Sequence, residues 1–228
     1  MSTRAFSLVE LLITIAIIGI LSGLLLPALA KARERSRRAA CVGSQRQLAL
    51  TFQSYAHDHD GQVPIGYRGG SKQWNAMVYS GTANQFVLFG WLHLEKYLEE
   101  PRLLYCPAEQ AAAQSFNSAA NPWPPGQPGV NVQSGYALRP VTDWGNAGVP
   151  PVWPILEEIG PVPLLADSVG QPARVDSRHR KGVNAASADG AVHWIPRPLF
   201  EADLQTCTSS GPGNNAAQDR IWSVLGTR

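Results

Sequence analysis

An apolar run near the N-terminus constrains this chain more than any other feature of its sequence. Residues 6–30 contain a single charged side chain, Glu10. As an α-helix this run would be roughly 37 Å long, since each residue adds about 1.5 Å, and the hydrocarbon core of a bilayer is only about 30 Å thick. An ordinary secretory signal has a shorter apolar stretch. We therefore predict a transmembrane helix over residues 6–30, in preference to a buried helix of a soluble protein.

Glu10 is unusual in such a segment, because a carboxylate within a membrane costs about 2.5–3.5 kcal/mol on insertion scales and usually marks a functional position. The residues around it, AFSLVELL from position 5 to position 12, resemble the processing site of type IV prepilins and type II secretion pseudopilins. The resemblance implies that a prepilin peptidase removes the leader, residues 1–5, by cutting between Ala5 and Phe6. It also implies that Phe6 becomes N-methylated and that Glu10 acts in processing and assembly.

Two further positions bear on this resemblance. Pro27 falls where many pilins kink, whereas Ala5 departs from the family, which usually has glycine before the cut. The alternative is an uncleaved single-pass anchor. The resemblance implies an inner-membrane protein with a cytoplasmic N-terminus and a periplasmic head. The positive-inside rule favours the opposite orientation, because six cations lie within residues 31–46; we follow the resemblance.

The remaining sequence predicts an α+β fold. Residues 31–60 should continue the helix and pack on a head of residues 61–228, since apolar residues recur there at near-helical spacing. Gly61 and Pro64 predict the helix end near Asp60. Strands are predicted at 85–92, Pro163–Asp167, Gly182–Ser187 and 191–196 from β-branched or aromatic content and flanking turn residues. Asp189-Gly190 suggests a two-residue type I′ turn between the last two strands.

Residues 119–163 contain ten prolines and six glycines. This composition excludes regular helix and central strand and predicts long surface loops. Three tryptophans, Trp123, Trp144 and Trp153, are expected to hold these loops against the core; a carbohydrate or peptide groove is the alternative.

A second resemblance concerns the head. His179 is followed, after nine residues, by Asp189-Gly190, which is similar to the prepilin-type processing-associated H-X9-DG domain. The segments around Cys41 and Cys106 also resemble parts of that family. Together the two resemblances imply a pilin-like fold, in which a long N-terminal transmembrane helix packs on a small antiparallel sheet with long Pro/Gly-rich loops.

The three cysteines are widely spaced and argue against a zinc cluster. In an oxidising compartment one disulfide and one thiol are expected. We favour Cys41 with Cys106, because Cys41 lies on the helix segment expected to pack on the head and Cys106 precedes a proline; Cys106 with Cys207 is the rival. The adjacent residues HDHD at 57–60 are expected to form a solvated helix end, because neighbouring ligands on one turn point in different directions.

An acid/base or metal site could be formed, as far as residue types go, by His179, Asp189, His193 and Asp167. The predicted turn, however, accounts for an aspartate at position 189. The alternation of inward and outward side chains along the predicted strand accounts for a histidine at position 193. No nucleophile elbow or phosphate-binding motif occurs, and a net charge of +2 gives no reason to expect nucleic acid. We expect no enzymatic activity, cofactor or metal.

The expected function is therefore that of a structural subunit of a type IV pilus-like filament or a type II secretion pseudopilus. Its expected partners are the prepilin peptidase/methyltransferase, other pilin or pseudopilin subunits and the membrane. The alternative is a membrane-anchored periplasmic binding module that does not polymerise. An anchored hydrolase that uses His179 and Asp189 is a third hypothesis.

Overall fold

A computed structural model describes residues 7–68, 72–142, 153–208 and 212–227. The chain divides into two units, residues 1–39 and 40–228. The described part of the first unit is helical: it belongs to α1, Leu8–Asp58, which continues through Pro27. Among the described residues, α1 is the one helix whose length and composition would allow it to cross a membrane.

The second unit begins with the C-terminal part of α1, which buries Leu48, Phe52 and Tyr55. The helix ends at Asp58, two residues before the predicted end. The Gly61 N–H then donates to the Ala56 carbonyl oxygen at 2.8 Å, and Gly61 has a φ of 80°. A residue without a Cβ adopts this left-handed conformation readily, so glycine closes the helix as predicted.

A four-stranded antiparallel sheet forms the centre of this unit, in the order β5-β7-β8-β9. Its strands are β5 (Tyr136–Leu138), β7 (Pro163–Asp167), β8 (Gly182–Ser187) and β9 (Val192–Pro196). The predicted strands β7 and β8 are confirmed at both ends, and β9 begins one residue later than predicted.

The other strands described form two smaller sheets. An antiparallel sheet has the order β3-β2-β4, from β2 (Met77–Ser80), β3 (Gln85–Phe86) and β4 (Val132–Gln133). A parallel pair joins β1 (Gly66–Tyr67) to β6 (Pro140–Thr142).

The predicted strand at 85–92 is wrong beyond its second residue. After β3, Leu88 has a φ of 50°, and the short helix α2, Phe89–Leu94, follows. This helix packs so closely on β2 that a Cβ on Gly90 would lie 2.0 Å from the Val78 carbonyl oxygen. The apolar run alone could not distinguish the two structures, because a short buried helix and a short buried strand have similar compositions.

The prediction of loops throughout 119–163 is also partly wrong, because β4, β5 and β6 lie within it. Each of the three is at the edge of its sheet. The stretch between Pro128 and Pro140 contains no proline and is long enough for two short strands. No described residue of this range lies in an α-helix, but it contains a 3₁₀ turn, Leu156–Ile159, and its last residue, Pro163, begins the central strand β7.

Two apolar clusters cover the two faces of the central sheet. Ala186 belongs to the cluster that contains Leu48 and Phe52 of α1, while its neighbour Ala185 belongs to the cluster that contains Ile221 and Trp222. Successive residues of a strand point to opposite faces. Two C-terminal helices that the sequence did not predict, α4 (Glu201–Thr206) and α5 (Asn215–Leu225), contribute Leu204, Ile221 and Trp222 among others to the second cluster. A further short helix, α3 (Pro172–Asp176), precedes β8.

Candidate functional site

In the first unit, α1 exposes apolar side chains on all sides of the helix. Its large apolar side chains from Leu8 to Leu29 are between 52% and 77% exposed. They include runs of adjacent residues such as 11–13 and 24–26, and because a helix turns by about 100° per residue, they reach every face. A surface of this extent is typical of contact with lipid or with other protein.

Glu10 lies in the first turn of α1 and has a local partner. Its Oε2 accepts a hydrogen bond from the Ser7 backbone N–H at 2.9 Å, and the Ser7 Oγ accepts one from the Val9 N–H at 3.4 Å. This arrangement is a variant of the capping box, in which the Ser7 hydroxyl accepts from the second helical N–H in place of the third; it satisfies N–H groups that the helix leaves unpaired. Ser-x-x-Glu before an apolar run is the known sequence signature of this cap, which we did not predict. Ala5 and Phe6, the proposed cleavage position, lie outside the described residues.

The structure places the signature residues His179 and Asp189 in different surroundings. His179 is buried beside the disulfide between Cys41 and Cys106, whose Cα atoms are 5.3 Å apart. Its Nε2 lies 3.5 Å from the Cys106 Sγ. Cys207 is a buried thiol. The disulfide therefore has the pairing that we favoured.

Asp167 completes this buried cluster from β7. Its Oδ2 accepts hydrogen bonds from the Asn184 backbone N–H at 2.7 Å and from the Asn184 Nδ2 at 3.1 Å. Its Oδ1 accepts one from the Gln45 Nε2 at 3.0 Å. Burial raises the pKa of the Asp167 carboxyl group, while nearby His179 and the Asn184 donors act in the opposite direction.

One atom from each of Cys41, Cys106, Asp167 and His179, of a type that binds metals, lies within 4.8 Å of the other three. Sequence spacing could not reveal this cluster, because the four residues meet only in the folded head. The wide spacing of the cysteines in the sequence therefore does not exclude a metal-thiolate site, because folding brings Cys41 and Cys106 together.

Asp189 and Gly190 lie in the β8–β9 turn, but the predicted two-residue type I′ turn is wrong. The Ser187 N–H donates to the Ala191 carbonyl oxygen at 2.9 Å, so the loop has three residues, 188–190. Of the two residues of the predicted turn, only Gly190 has a positive φ, 82°. The Asp189 Oδ1 instead accepts a hydrogen bond from the Ala191 N–H at 2.9 Å. This arrangement is typical of a three-residue loop with glycine in the left-handed position.

The carbonyl groups of this turn bind side chains of α1. The Gln53 Nε2 donates to the Ala188 carbonyl oxygen, and the Arg46 Nε donates to the Gly190 carbonyl oxygen at 3.3 Å. His179 lies beside Cys106, whose disulfide partner Cys41 belongs to the same helix. The two ends of the signature therefore lie against one stretch of α1, residues 41–53, and hold it on the sheet.

The other residues considered from the sequence are apart from this cluster. The Asp58 carboxylate accepts a hydrogen bond from the Tyr97 hydroxyl at 2.8 Å, while His59 stacks on Tyr55. Trp123 packs edge-on against His93, with ring centroids 5.0 Å apart, as expected for a residue that holds its loop on the core. Trp144 lies outside the described residues.

A groove of about 720 Å³ lies beside the β8–β9 turn. It is lined by the end of α1, by residues 155–161 and by residues 187–189. Asp60, Glu157 and Asp189 contribute carboxylates to it.

Comparison with known proteins bears on the N-terminal unit. Residues 1–26 match a family described as the prokaryotic N-terminal methylation motif. The chain carries a prepilin-type methylation motif. It is also 33% identical over 64 residues to competence protein ComGC of Bacillus subtilis strain 168; the match covers 28% of this chain and 65% of that protein. No solved structure matches the chain significantly. A long apolar N-terminal helix followed by antiparallel sheets confirms the expected α+β, pilin-like fold.

Proposed function

We propose that this chain is a structural, pilin-like subunit of a type IV pilus-like filament or a secretion pseudopilus. A prepilin peptidase cuts between Ala5 and Phe6, and Phe6 is N-methylated. Residues 6–30 cross the inner membrane once, with the N-terminus in the cytoplasm, and then pack against other pilin or pseudopilin subunits. Residues 31–58 continue the helix, and residues 61–228 form the periplasmic head.

The apolar surface of α1 carries this proposal. Fourteen large apolar side chains between Leu8 and Leu29 are more than half exposed, and removing each such side chain from water contributes about 1.5–3 kcal/mol. A lipid bilayer removes them from water before assembly, and neighbouring helices do so afterwards. The methylation motif over residues 1–26 supports processing of the same segment.

The intact mass of the protein extracted from native membranes tests the processing step. We expect a chain that begins at Phe6 and bears one methyl group. Ala5→Gly is the matched control, because it restores the residue that the family usually has before the cut. A wild-type chain that keeps residues 1–5 in cells with an active prepilin peptidase would remove the main support for the proposal.

The groove beside the β8–β9 turn favours a second candidate, a membrane-anchored binding module that does not polymerise. Its volume of about 720 Å³ is within the range of small-molecule sites, about 300–1,000 Å³. In that case the processed protein would stay in the membrane fraction, and substitutions in the groove would impair function without changing its location.

We propose no catalytic role. Asp167 and His179 meet in the buried cluster, whereas Asp189 and His193 are exposed. The four residues considered from the sequence therefore do not form one solvent-accessible acid/base site.

A further inference from the structure

The buried cluster around the disulfide contains the donor atoms of a metal site. Two cysteine sulfurs, an imidazole nitrogen and a carboxylate oxygen all lie within 4.8 Å of one another. Structural zinc sites are tetrahedral and combine thiolates at about 2.3 Å with nitrogen or oxygen ligands at about 2.0–2.2 Å. Neighbouring ligands in such a site are about 3.3–3.8 Å apart. The four side chains therefore need only small movements once the sulfur–sulfur bond is broken.

We propose that the head, when its disulfide is reduced, binds one zinc ion through Cys41, Cys106, His179 and Asp167. The same site then ties α1 to the sheet in two ways, by a disulfide under oxidising conditions and by a metal under reducing conditions. A chain meets both conditions if it is made in a reducing cytoplasm and its head then enters an oxidising compartment.

The surroundings of the cluster position its ligands. His179 already directs its Nε2 at the Cys106 Sγ, 3.5 Å away. The Asp167 carboxylate is held by hydrogen bonds from Asn184 and Gln45, and such outer partners fix ligating carboxylates in metal sites. Cys41 belongs to the part of α1 that is buried in the head, so that metal binding there stabilises the same contact as the disulfide.

Reduction of the disulfide and binding of zinc require no other group of the protein. A phosphine reductant and one water molecule convert the disulfide into two thiols and leave a phosphine oxide. Zinc then binds both sulfurs as thiolates and displaces two protons to solvent, so that affinity rises with pH. Oxidation of the metal-free thiols restores the disulfide.

Cobalt(II) provides the test, because it occupies zinc sites and its absorption reports thiolate ligation and tetrahedral geometry. The full chain in detergent is reduced with a phosphine, desalted without oxygen and titrated with cobalt, then with zinc. We expect one cobalt ion per reduced chain, with thiolate-to-cobalt charge-transfer absorption, displacement by one equivalent of zinc, and none bound by the oxidised chain. Zinc should also raise the thermal midpoint of the reduced chain, because it binds the folded state.

Variants assign the ligands. Cys207→Ser should bind cobalt as the wild type does, whereas His179→Gln and Asp167→Asn should each lower the affinity by at least about tenfold. Circular dichroism of the oxidised variants first confirms that they are folded. No cobalt bound to the reduced wild type, binding lost in Cys207→Ser, or unchanged affinity in both the His179 and Asp167 variants would each overturn the proposal. So would a reduced wild-type chain that is unfolded and that zinc does not refold.

Discussion

Replacing Glu10 by glutamine separates two roles that its position at the start of α1 allows. The first is local, because the Glu10 Oε2 accepts the Ser7 N–H at 2.9 Å. The second is intermolecular: the proposed cleavage would create a positively charged α-amine at Phe6, and in a staggered bundle the amine of one subunit would meet the Glu10 of its neighbour. Glutamine keeps an acceptor oxygen for Ser7 and removes the charge.

The two roles differ in magnitude. Loss of a helix cap costs about 1 kcal/mol, or roughly fivefold in an equilibrium. Removal of one partner of a buried ion pair leaves the other charge unpaired and costs about 3–5 kcal/mol, which corresponds to a factor of roughly a hundred to several thousand in an equilibrium. We therefore expect Glu10→Ala and Glu10→Gln to reduce incorporation into filaments strongly, while insertion and cleavage remain largely intact. Glu10→Asp keeps the charge with a shorter reach and should be intermediate.

The assay measures processed protein in membranes and in sheared filaments for each variant. If glutamine supports filaments at the wild-type level and alanine does not, Glu10 acts as a helix cap and the ion-pair argument is refuted. If the alanine variant also enters filaments at the wild-type level, Glu10 is not an assembly residue, and the anchored module that does not polymerise becomes the better account.

The remaining predictions concern the stability of the head, measured by denaturant unfolding of the protein in detergent. Replacing both Cys41 and Cys106 by serine should lower the free energy of unfolding by about 4 kcal/mol, because the disulfide spans 65 residues and chain-entropy estimates scale with loop length. Phe52→Ala should cost about 3–5 kcal/mol, since Phe52 is fully buried, whereas Leu50→Ala, at a side chain that is 49% exposed, should cost less than about 0.5 kcal/mol. Gly190→Ala should cost about 1–2 kcal/mol, because its φ is 82°.

Gly43→Ala is the matched control for the glycine prediction. Gly43 lies inside α1, and a Cβ added there would contact nothing within 4 Å. It should therefore stabilise the helix by about 0.5–1 kcal/mol. Equal changes in stability at positions 43 and 190 would contradict the conformational argument. Equal losses at positions 50 and 52 would contradict the argument from burial. A loss below about 1 kcal/mol for the double serine variant would contradict the loop-entropy argument.

The parts of the fold that the sequence predicted have strong local signals. The apolar run of α1 is long and carries a single charge, Gly61 ends the helix through its own backbone freedom, and β8 is followed by the turn residues Asp189 and Gly190. The helices α2, α3, α4 and α5 were not predicted. Helices this short are marginal in isolation and depend on tertiary packing, although Ile221, Trp222 and Leu225 in α5 do have helical spacing.

The candidate site was predicted unevenly for the same reason. The capping box of Glu10 was readable from residues 7–10. The buried cluster joins positions 41, 106, 167 and 179, and only the packing of α1 on the sheet brings them together. The turn at 188–190 differs from the prediction because the Asp189 side chain binds the Ala191 N–H, which a two-residue pattern does not show.

Recovery of the wild-type protein in sheared filaments tests the central claim, that this chain assembles through its N-terminal helix. Filaments are sheared from native cells, and the surface and membrane fractions are compared by quantitative mass spectrometry for chains that begin at Phe6. The account predicts processed chain in the sheared fraction, together with other pilin-like subunits. Processed chain that is found only in the membrane fraction, under conditions in which the cells make filaments, would contradict it.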